Sequence, residues 1–180
     1  MQHFEQDENG VWVLKEEVAG RGREAVIKVS SEDMVRKEYR NVSLSNVKKI
    51  ERQFHNMSNL EHTGRVPKVY ALYEGGYLME YLKNYITLRL AVKIFKKNKD
   101  FIKELLREVY KARLELGRNI SISDMSEDNT LVNIDTMDVK FIDIGDIKNV
   151  PSGYLFDLET KIINLLGVDK LWKLVKKEFG

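Results

Sequence analysis

One stretch of the sequence decides the fold, and it runs from Asp124 to Gly145 as DMSEDNTLVNIDTMDVKFIDIG. Asp124 and Asn129 lie in a polar segment ahead of an apolar run, and Asp143 follows a second apolar run just before Gly145. Aspartate and asparagine favour loops, so taken alone these residues are also compatible with simple turn formation. Their order around two apolar runs is the more informative feature.

The two apolar runs predict a β-hairpin. Residues 130–134 and 139–142 are rich in Val, Ile and Leu, and a short polar turn joins them. Because a hairpin brings its ends together, we expect Asn129 and Asp143 to face each other, with Asp124 on the loop beside them. Mg²⁺ prefers oxygen ligands and takes only one or two from protein when phosphates supply the others. The pattern predicts Asn129 and Asp143 as metal ligands, and Asp124 as the group that orients or deprotonates an attacking hydroxyl.

The sequence before this stretch is mostly typical of strands. The predicted elements are strands at 11–14 and 25–29, a helix at 45–60, and strands at 69–73 and 77–81. The segment Gly20-Arg21-Gly22-Arg23 between the first two strands is a turn signal. We therefore expect those two strands to form a hairpin with this segment at its tip.

From residue 85 onward the pattern is mainly helical. Asp100 is expected to cap a helix that ends at Gly117 in the left-handed conformation, and two closing helices are predicted at 155–166 and 169–179. This order predicts an α+β protein with a β-rich N-terminal lobe, residues 1–82, and a mainly helical C-terminal lobe, residues 83–180.

Composition excludes several kinds of chemistry. The 180-residue chain has no cysteine, so thiol catalysis, disulfides and thiolate metal sites are excluded, and its three histidines are not at ligand spacing. A net charge of +2 gives no reason to expect direct nucleic-acid binding. The start of the chain is polar and acidic, and no apolar run reaches the length of a membrane span. We expect a soluble, cytoplasmic domain without membrane association.

The loop and hairpin resemble the catalytic and metal-binding loops of the protein-kinase-like superfamily, which read Asp-(four residues)-Asn and Asp-Phe-Gly. The loop is similar to that of the Rio atypical kinases, Asp-Leu-Ser-Glu-aromatic-Asn, and the chain is similar in length to the small kinase subunit of the KEOPS complex. The resemblance covers about residues 8–160. It implies a two-lobed kinase-like fold that binds ATP and Mg²⁺, with Asp124 as catalytic base and Asn129 and Asp143 as metal ligands.

Further positions follow from this resemblance in the N-terminal third. The segment from Ala25 to Lys28 is similar to the Val-Ala-Ile-Lys strand of the superfamily, which implies that Lys28 contacts the α- and β-phosphates. A glutamate of the following helix should pair with this lysine, and Glu51 is the predicted partner. Glu38 is only the second choice, because it is too close to Lys28 in sequence.

The resemblance also implies an adenine site and a phosphate loop. The segment around Met79, Glu80 and Tyr81 resembles the strand and hinge that hold adenine through backbone groups, with Met79 at the back of the pocket. The phosphate loop is placed at residues 8–10, where Gly10 supplies the one glycine.

Several positions of this sequence differ from the motifs of the superfamily. Ile122 replaces the usual histidine before the catalytic aspartate, and Ser126 replaces the lysine that protein kinases place after it. The middle residue of Asp-Phe-Gly is Ile144. Asp157 resembles the helix aspartate that holds the catalytic loop, and its closeness to Asp143 leaves no room for a full activation segment. The usual peptide-docking platform should therefore be absent.

The implied function is that of an ATP-dependent phosphotransferase of the minimal kinase type. It would be a serine/threonine protein kinase, with autophosphorylation included, or an ATPase that acts as a switch within a larger assembly, so a protein substrate or assembly partner is expected. Three alternatives remain: a small-molecule kinase, a catalytically weak pseudokinase that acts as a binding module, and an unrelated α+β interaction domain.

Overall fold

The structure is a computed structural model that describes residues 4–6, 12–14, 18–21, 24–41, 43–117, 120–123, 125–149, 163–164 and 166–179. Three of the residues assigned from the sequence, Gly10, Asp124 and Asp157, lie outside the described residues. Most of the helix predicted at 155–166 also lies outside them.

The described residues form a strand-rich first part, followed by a second part that contains most of the described helices. The strands are β1 (Phe4–Gln6), β2 (Trp12–Leu14), β3 (Val18–Arg21), β4 (Ala25–Val29), β5 (Met34–Tyr39), β6 (Val69–Tyr73), β7 (Gly76–Glu80), β8 (Tyr85–Thr87), β9 (Ile120–Ile122), β10 (Thr130–Asn133), β11 (Val139–Phe141) and β12 (Ile147–Asn149). The helices are α1 (Leu44–Leu60), α2 (Leu88–Phe95), α3 (Lys99–Leu116) and α4 (Asp169–Glu178). This distribution confirms the predicted α+β class.

The chain forms two compact units. The first consists of residues 1–51 and 69–81, and the second of residues 52–68 and 82–180. Within the described residues, no helix is both long enough and apolar enough to cross a membrane.

An antiparallel five-stranded sheet organises the first unit, with the strand order β3-β4-β5-β7-β6. Side chains alternate between the two faces of a strand, and in β5 the alternation buries Val35, Lys37 and Tyr39. Directly opposed residues share a face, so Val35 lies on the same face as Met79, which is its partner in β7. This buried face forms the apolar side of the sheet.

The predicted first hairpin is wrong in its pairing. β2 pairs with β1, whereas β4 pairs with β3, and Gly20 and Arg21 are strand residues opposite Ile27 and Val26. Glycine and arginine are compatible with an edge strand such as β3, since such a strand needs pairing on only one side. The central strand β5 was not predicted at all.

In the second unit, the predicted hairpin is confirmed as β10 and β11, which pair antiparallel with Thr130 opposite Phe141. β8 extends this pair into a three-stranded sheet, and β9 pairs with β12. α3 supplies the main core, and the buried Trp172 of α4 packs against its Tyr110 with 5.3 Å between ring centroids.

The ends of α3 differ from the sequence expectation. The capping residue is Asn98, whose side chain accepts a hydrogen bond from the Phe101 N–H at 3.1 Å, and Asp100 lies in the first turn. Gly117 has a φ of 136°, which is positive but outside the left-handed helical region. An amide side chain at Asn98 caps as well as a carboxylate does, so composition alone did not separate the two positions.

Candidate active site

The β10–β11 hairpin places Asn129 and Asp143 at the same end. The Ile142 N–H donates to the Asn129 carbonyl oxygen at 2.9 Å, directly beyond the register pair of Thr130 and Phe141. Asn129 is thus opposite Ile142, and Asp143 is the next residue at the same end of the hairpin. Both residues make further interactions within the protein.

A tight turn fixes the chain before Asn129. The Asn129 N–H donates to both the carbonyl oxygen of Ser126 at 3.1 Å and its hydroxyl oxygen at 3.2 Å. The buried Thr130 hydroxyl donates to the same carbonyl at 2.8 Å. The conformation of residues 126–130 is therefore set by internal hydrogen bonds, which holds the Asn129 backbone in place.

The chain around Asp143 has a special conformation. Asp143 has a φ of 58°, in the left-handed region, which aspartate and asparagine adopt more readily than other residues that carry a Cβ. The following residues are anchored, because Ile144 is buried and the Asn56 side chain donates to the Gly145 carbonyl. Met137, in the turn at the other end of the hairpin, has a φ of 59°, so Asp143 shares this conformation with a turn residue.

Reciprocal hydrogen bonds join the chain after Asp143 to the strand before the loop. The Ser123 N–H donates to the Asp146 carbonyl at 2.8 Å, and the Asp146 N–H donates to the Ser123 hydroxyl at 2.6 Å. The Asp146 carboxylate also pairs with Arg52 at 2.7 Å. Ser123 precedes and Asp146 follows the predicted catalytic stretch 124–145, so these hydrogen bonds join the residues at its two ends.

The donor set fits a magnesium ion that also binds phosphate. The hairpin end offers one carboxylate, from Asp143, and one amide oxygen, from Asn129. Mg²⁺ needs no more than this from protein when phosphates and water complete its coordination. The described part of the chain contains no cluster of three or more His, Cys, Asp or Glu side chains that could hold a metal ion.

Lys28 and Glu38 lie together on the less buried face of the five-stranded sheet. The Lys28 ammonium is 2.8 Å from the Glu38 carboxylate, and Arg36 is 3.6 Å from the same group. Glu51, the partner predicted for Lys28, is an exposed residue of α1. The second-choice glutamate is therefore the one that pairs with Lys28.

Lys37 lies on the opposite, buried face of the same sheet, and the sequence reasoning missed it. Only 4% of its surface is exposed, and its ammonium lies 5.2 Å from the ring centroid of Tyr39 and 5.6 Å from that of Tyr77. Because Val35 is opposite Met79, Lys37 shares a face with Met79, whereas Lys28 does not. The sequence of this strand gives no alternation that marks Lys37, because Arg36, Lys37 and Glu38 are consecutive charged residues.

The three residues predicted to hold adenine lie at the end of β7. Met79 is buried, and Glu80 and Tyr81 are half-buried. The Tyr81 N–H donates to the Asp33 carbonyl at 2.9 Å, so this backbone donor is already used within the protein. Met79 is thus the member of this group that lies on the Lys37 face of the sheet.

The α+β architecture, with a hairpin that carries Asn129 and Asp143 at one end and a sheet that carries Lys28 and Lys37, is that of a protein-kinase-like protein. The sequence model of the RIO domain matches residues 21–151, which is more than half of the chain. The chain therefore belongs to the RIO domain family, an atypical protein-kinase-like family of kinases and ATPases that bind ATP. The Rio-like resemblance is confirmed. No curated protein matches the chain.

Proposed function

We propose that this protein is an ATP-dependent phosphotransferase of the minimal kinase type that acts on serine or threonine hydroxyls, its own included. The observation that carries the proposal is the meeting of Asn129 and Asp143 at one end of the β10–β11 hairpin. A protein substrate or an assembly partner and a cytoplasmic location belong to the same proposal. Hydrolysis of ATP as a switch within an assembly is the variant that family membership also supports.

In this proposal, Asn129 and Asp143 hold Mg²⁺ through one amide oxygen and one carboxylate. When bound, the ion neutralises charge on the β- and γ-phosphates. Asp124 orients the acceptor hydroxyl and takes its proton. Phosphoryl transfer requires little covalent chemistry from protein, so the contribution of these residues is positioning and charge stabilisation.

We propose Lys37, rather than Lys28, as the lysine that contacts the α- and β-phosphates. In protein kinases this lysine lies on the third strand, before the helix that supplies its glutamate. β5 is the third strand of the five-stranded sheet in chain order and directly precedes α1. Lys37 also shares its face with Met79, the predicted back of the adenine pocket. The sequence resemblance assigns the phosphate contact to Lys28, with Glu51 as the acidic partner of that lysine.

The adenine and phosphate-loop assignments complete the proposed site. Met79, Glu80 and Tyr81 would line the adenine position, with Met79 supported by its burial on the Lys37 face. Gly10 remains a prediction for the phosphate loop.

A comparison of Asp143→Asn with Asp135→Asn tests the proposed function. Both changes remove one carboxylate from the same hairpin, but Asp135 lies in the exposed turn at its other end. Asparagine tolerates the left-handed backbone at position 143, so the fold should be preserved. We expect Mg-ATP at about 100 times its Kd to stabilise the wild type by about 2.7 kcal/mol. Asp143→Asn should lose the metal-dependent part of this gain, and its turnover should fall by about 10²- to 10³-fold.

The distribution of label from γ-³²P-ATP separates the possible activities. Label on protein indicates a kinase, label on an added small molecule a small-molecule kinase, and release as phosphate alone an ATPase. Equal turnover by the wild type and Asp143→Asn would show that the assigned metal site is wrong. Mg-ATP binding without turnover would indicate a pseudokinase, and no nucleotide effect at all would contradict the proposal.

A further inference from the structure

Arg89 lies on a rigid base beside the predicted metal-binding loop. It is the second residue of α2, whose N-terminus is capped by the Thr87 hydroxyl accepting from the Leu90 N–H at 3.2 Å. Thr87 is also the last residue of β8, where it is opposite Leu131 of β10. The backbone of Arg89 is therefore tied to the sheet that contains the hairpin.

The Arg89 side chain binds two consecutive carboxylates of the loop. Its guanidinium donates to Asp128 at 2.8 Å and 3.0 Å and also to the Glu127 carboxylate. Its backbone N–H donates to the Glu127 carbonyl oxygen at 3.2 Å. One residue thus contacts the loop through four hydrogen bonds at the two positions directly before Asn129.

The burial of Glu127 gives these contacts their importance. The Glu127 side chain is only 5% exposed, whereas the Asp128 side chain is 56% exposed. A buried carboxylate requires a compensating charge or hydrogen bonds, and an exposed ion pair contributes little. The planar guanidinium can satisfy both carboxylates at once, which an ammonium cannot do. The Glu127 contact is therefore the one that should restrain the loop.

We infer that Arg89 is a positioning residue that fixes Asn129 for metal binding by holding Glu127 and Asp128. The Ser126 turn restrains Asn129 from within the loop, and Arg89 restrains the same segment from α2. Metal ligands must be held within narrow limits, and residues that orient a ligand affect metal affinity without touching the ion. This inference rests on the proposed role of Asn129.

The test compares Arg89→Gln with Arg107→Gln in the full-length protein. Arg107 is a matched control because it also joins two carboxylates, Glu104 and Glu178, but on α3 and α4. Mn²⁺ binding in the presence of ATP is followed by the loss of the free-ion electron paramagnetic resonance signal. We expect Arg89→Gln to raise the Mn²⁺ Kd about tenfold, the lower end of the range for residues that orient ligands, and Arg107→Gln to leave it unchanged.

Two further measurements distinguish positioning from general stability. ATP turnover by Arg89→Gln should recover at saturating metal, because the ligand is misplaced rather than lost. Amide exchange at residues 126–130 should be faster in Arg89→Gln than in Arg107→Gln. Arg89→Lys, which retains the charge but not the fork, should give an intermediate Mn²⁺ Kd.

The outcomes separate this inference from the proposed function. Equal Mn²⁺ affinity in the wild type and Arg89→Gln overturns the inference alone. If Arg89→Gln and Arg107→Gln weaken Mn²⁺ binding equally, the inference is also overturned, because a general loss of stability then explains the effect. If the wild type itself binds no Mn²⁺ with ATP, the proposed function fails, and the role of Arg89 fails with it.

Discussion

Lys37 holds a charged group on the buried face of a sheet, between the rings of Tyr39 and Tyr77. Burying a charge is costly, and the electron-rich faces of aromatic rings offset only part of that cost. A lysine in such a place lowers the stability of the fold compared with an apolar residue of the same shape. Lys37 lies on the same face as Met79, and both positions belong to the proposed ATP site.

Lys37→Met and Lys28→Met form a matched pair on the two faces of one sheet. Methionine retains the length of each side chain and removes the charge. We expect Lys37→Met to weaken the binding of a fluorescent ATP analogue by about tenfold or more, because a charged hydrogen bond to phosphate is worth about 1.5–3 kcal/mol. Lys28→Met should change the Kd less than about threefold. The reverse order, measured by titration, would restore Lys28 as the phosphate-binding residue.

The placement of Asn129 and Asp143 at one end of the hairpin could be predicted from sequence, because the hairpin geometry relates the two positions. Asn129 and Asp143 flank two short apolar runs, and closing the hairpin leaves only one arrangement for its ends. Lys37 could not be found in this way. Its strand has three consecutive charged residues, Arg36, Lys37 and Glu38, and the sheet partners that identify its buried face are distant in sequence.

At the scale of elements, Gly76 allows the close approach of β7 to β5. A Cβ added at Gly76 would lie 1.9 Å from the Lys37 carbonyl oxygen, which no small adjustment can relieve. Gly76→Ala should therefore separate the two central strands and lower the free energy of unfolding by about 3 kcal/mol.

Gly64→Ala is the control for this change. Gly64 has a φ of 69° but has no neighbouring atom within 4 Å of an added Cβ. Gly64→Ala should therefore introduce only backbone strain, which should lower the free energy of unfolding by about 1 kcal/mol. Urea unfolding of both variants gives the comparison, and equal effects would show that strand proximity at Gly76 is not limiting.

Tyr73, at the end of the edge strand β6, should lower the stability of the fold as the pH becomes alkaline. Burial, with repulsion from the Glu38 carboxylate, raises the pKa of Tyr73 from 10.0 to about 12. The neutral phenol is thus favoured in the folded state, and its contribution is fully present below pH 10 and lost as the pH rises towards 12. Tyr73→Phe should remove this part of the pH dependence, measured as the urea midpoint across that interval. An unchanged alkaline slope would contradict the assignment.

The elements differ in how far local sequence determines them. α1 and the β10–β11 hairpin were predicted almost to their ends, because their apolar spacing is regular and their boundaries carry clear signals. β3 and β5 were not, since edge pairing accepts Gly20 and Arg21, and β5 carries three consecutive charged residues. Pairing across a sheet, rather than local preference, decided both.

At the scale of the whole molecule, the second unit depends on packing between α3 and α4. Trp172 is 1% exposed and contacts Tyr110, whereas Leu174 of the same helix is 51% exposed. Trp172→Ala should lower the free energy of unfolding by about 3–5 kcal/mol because it leaves a large cavity. Leu174→Ala should change it by no more than about 0.5 kcal/mol. Denaturant unfolding followed by circular dichroism checks both, and equal losses would contradict this view of the core.

The family could be recognised from sequence with few residues, because the loop and hairpin carry the pattern in one continuous stretch. The division into lobes at residues 82 and 83 remains a prediction. The two compact units do not divide at a single position in the chain, because residues 52–68 belong to the second unit. Such grouping depends on contacts between distant segments, which hydrophobic spacing does not reveal.

The far turn of the β10–β11 hairpin offers a place to attach a reporter. Asp138 at this turn is held by Arg65 and Tyr85, so the turn is anchored independently of the end that carries Asn129 and Asp143. Asp135 beside it is exposed, and the chain contains no cysteine. Asp135→Cys would therefore create a single thiol for a fluorescent or spin label, about 13 Å along the strands from the opposite end. Such a label would allow nucleotide titrations to be read optically or magnetically without altering any group assigned to ATP or Mg²⁺.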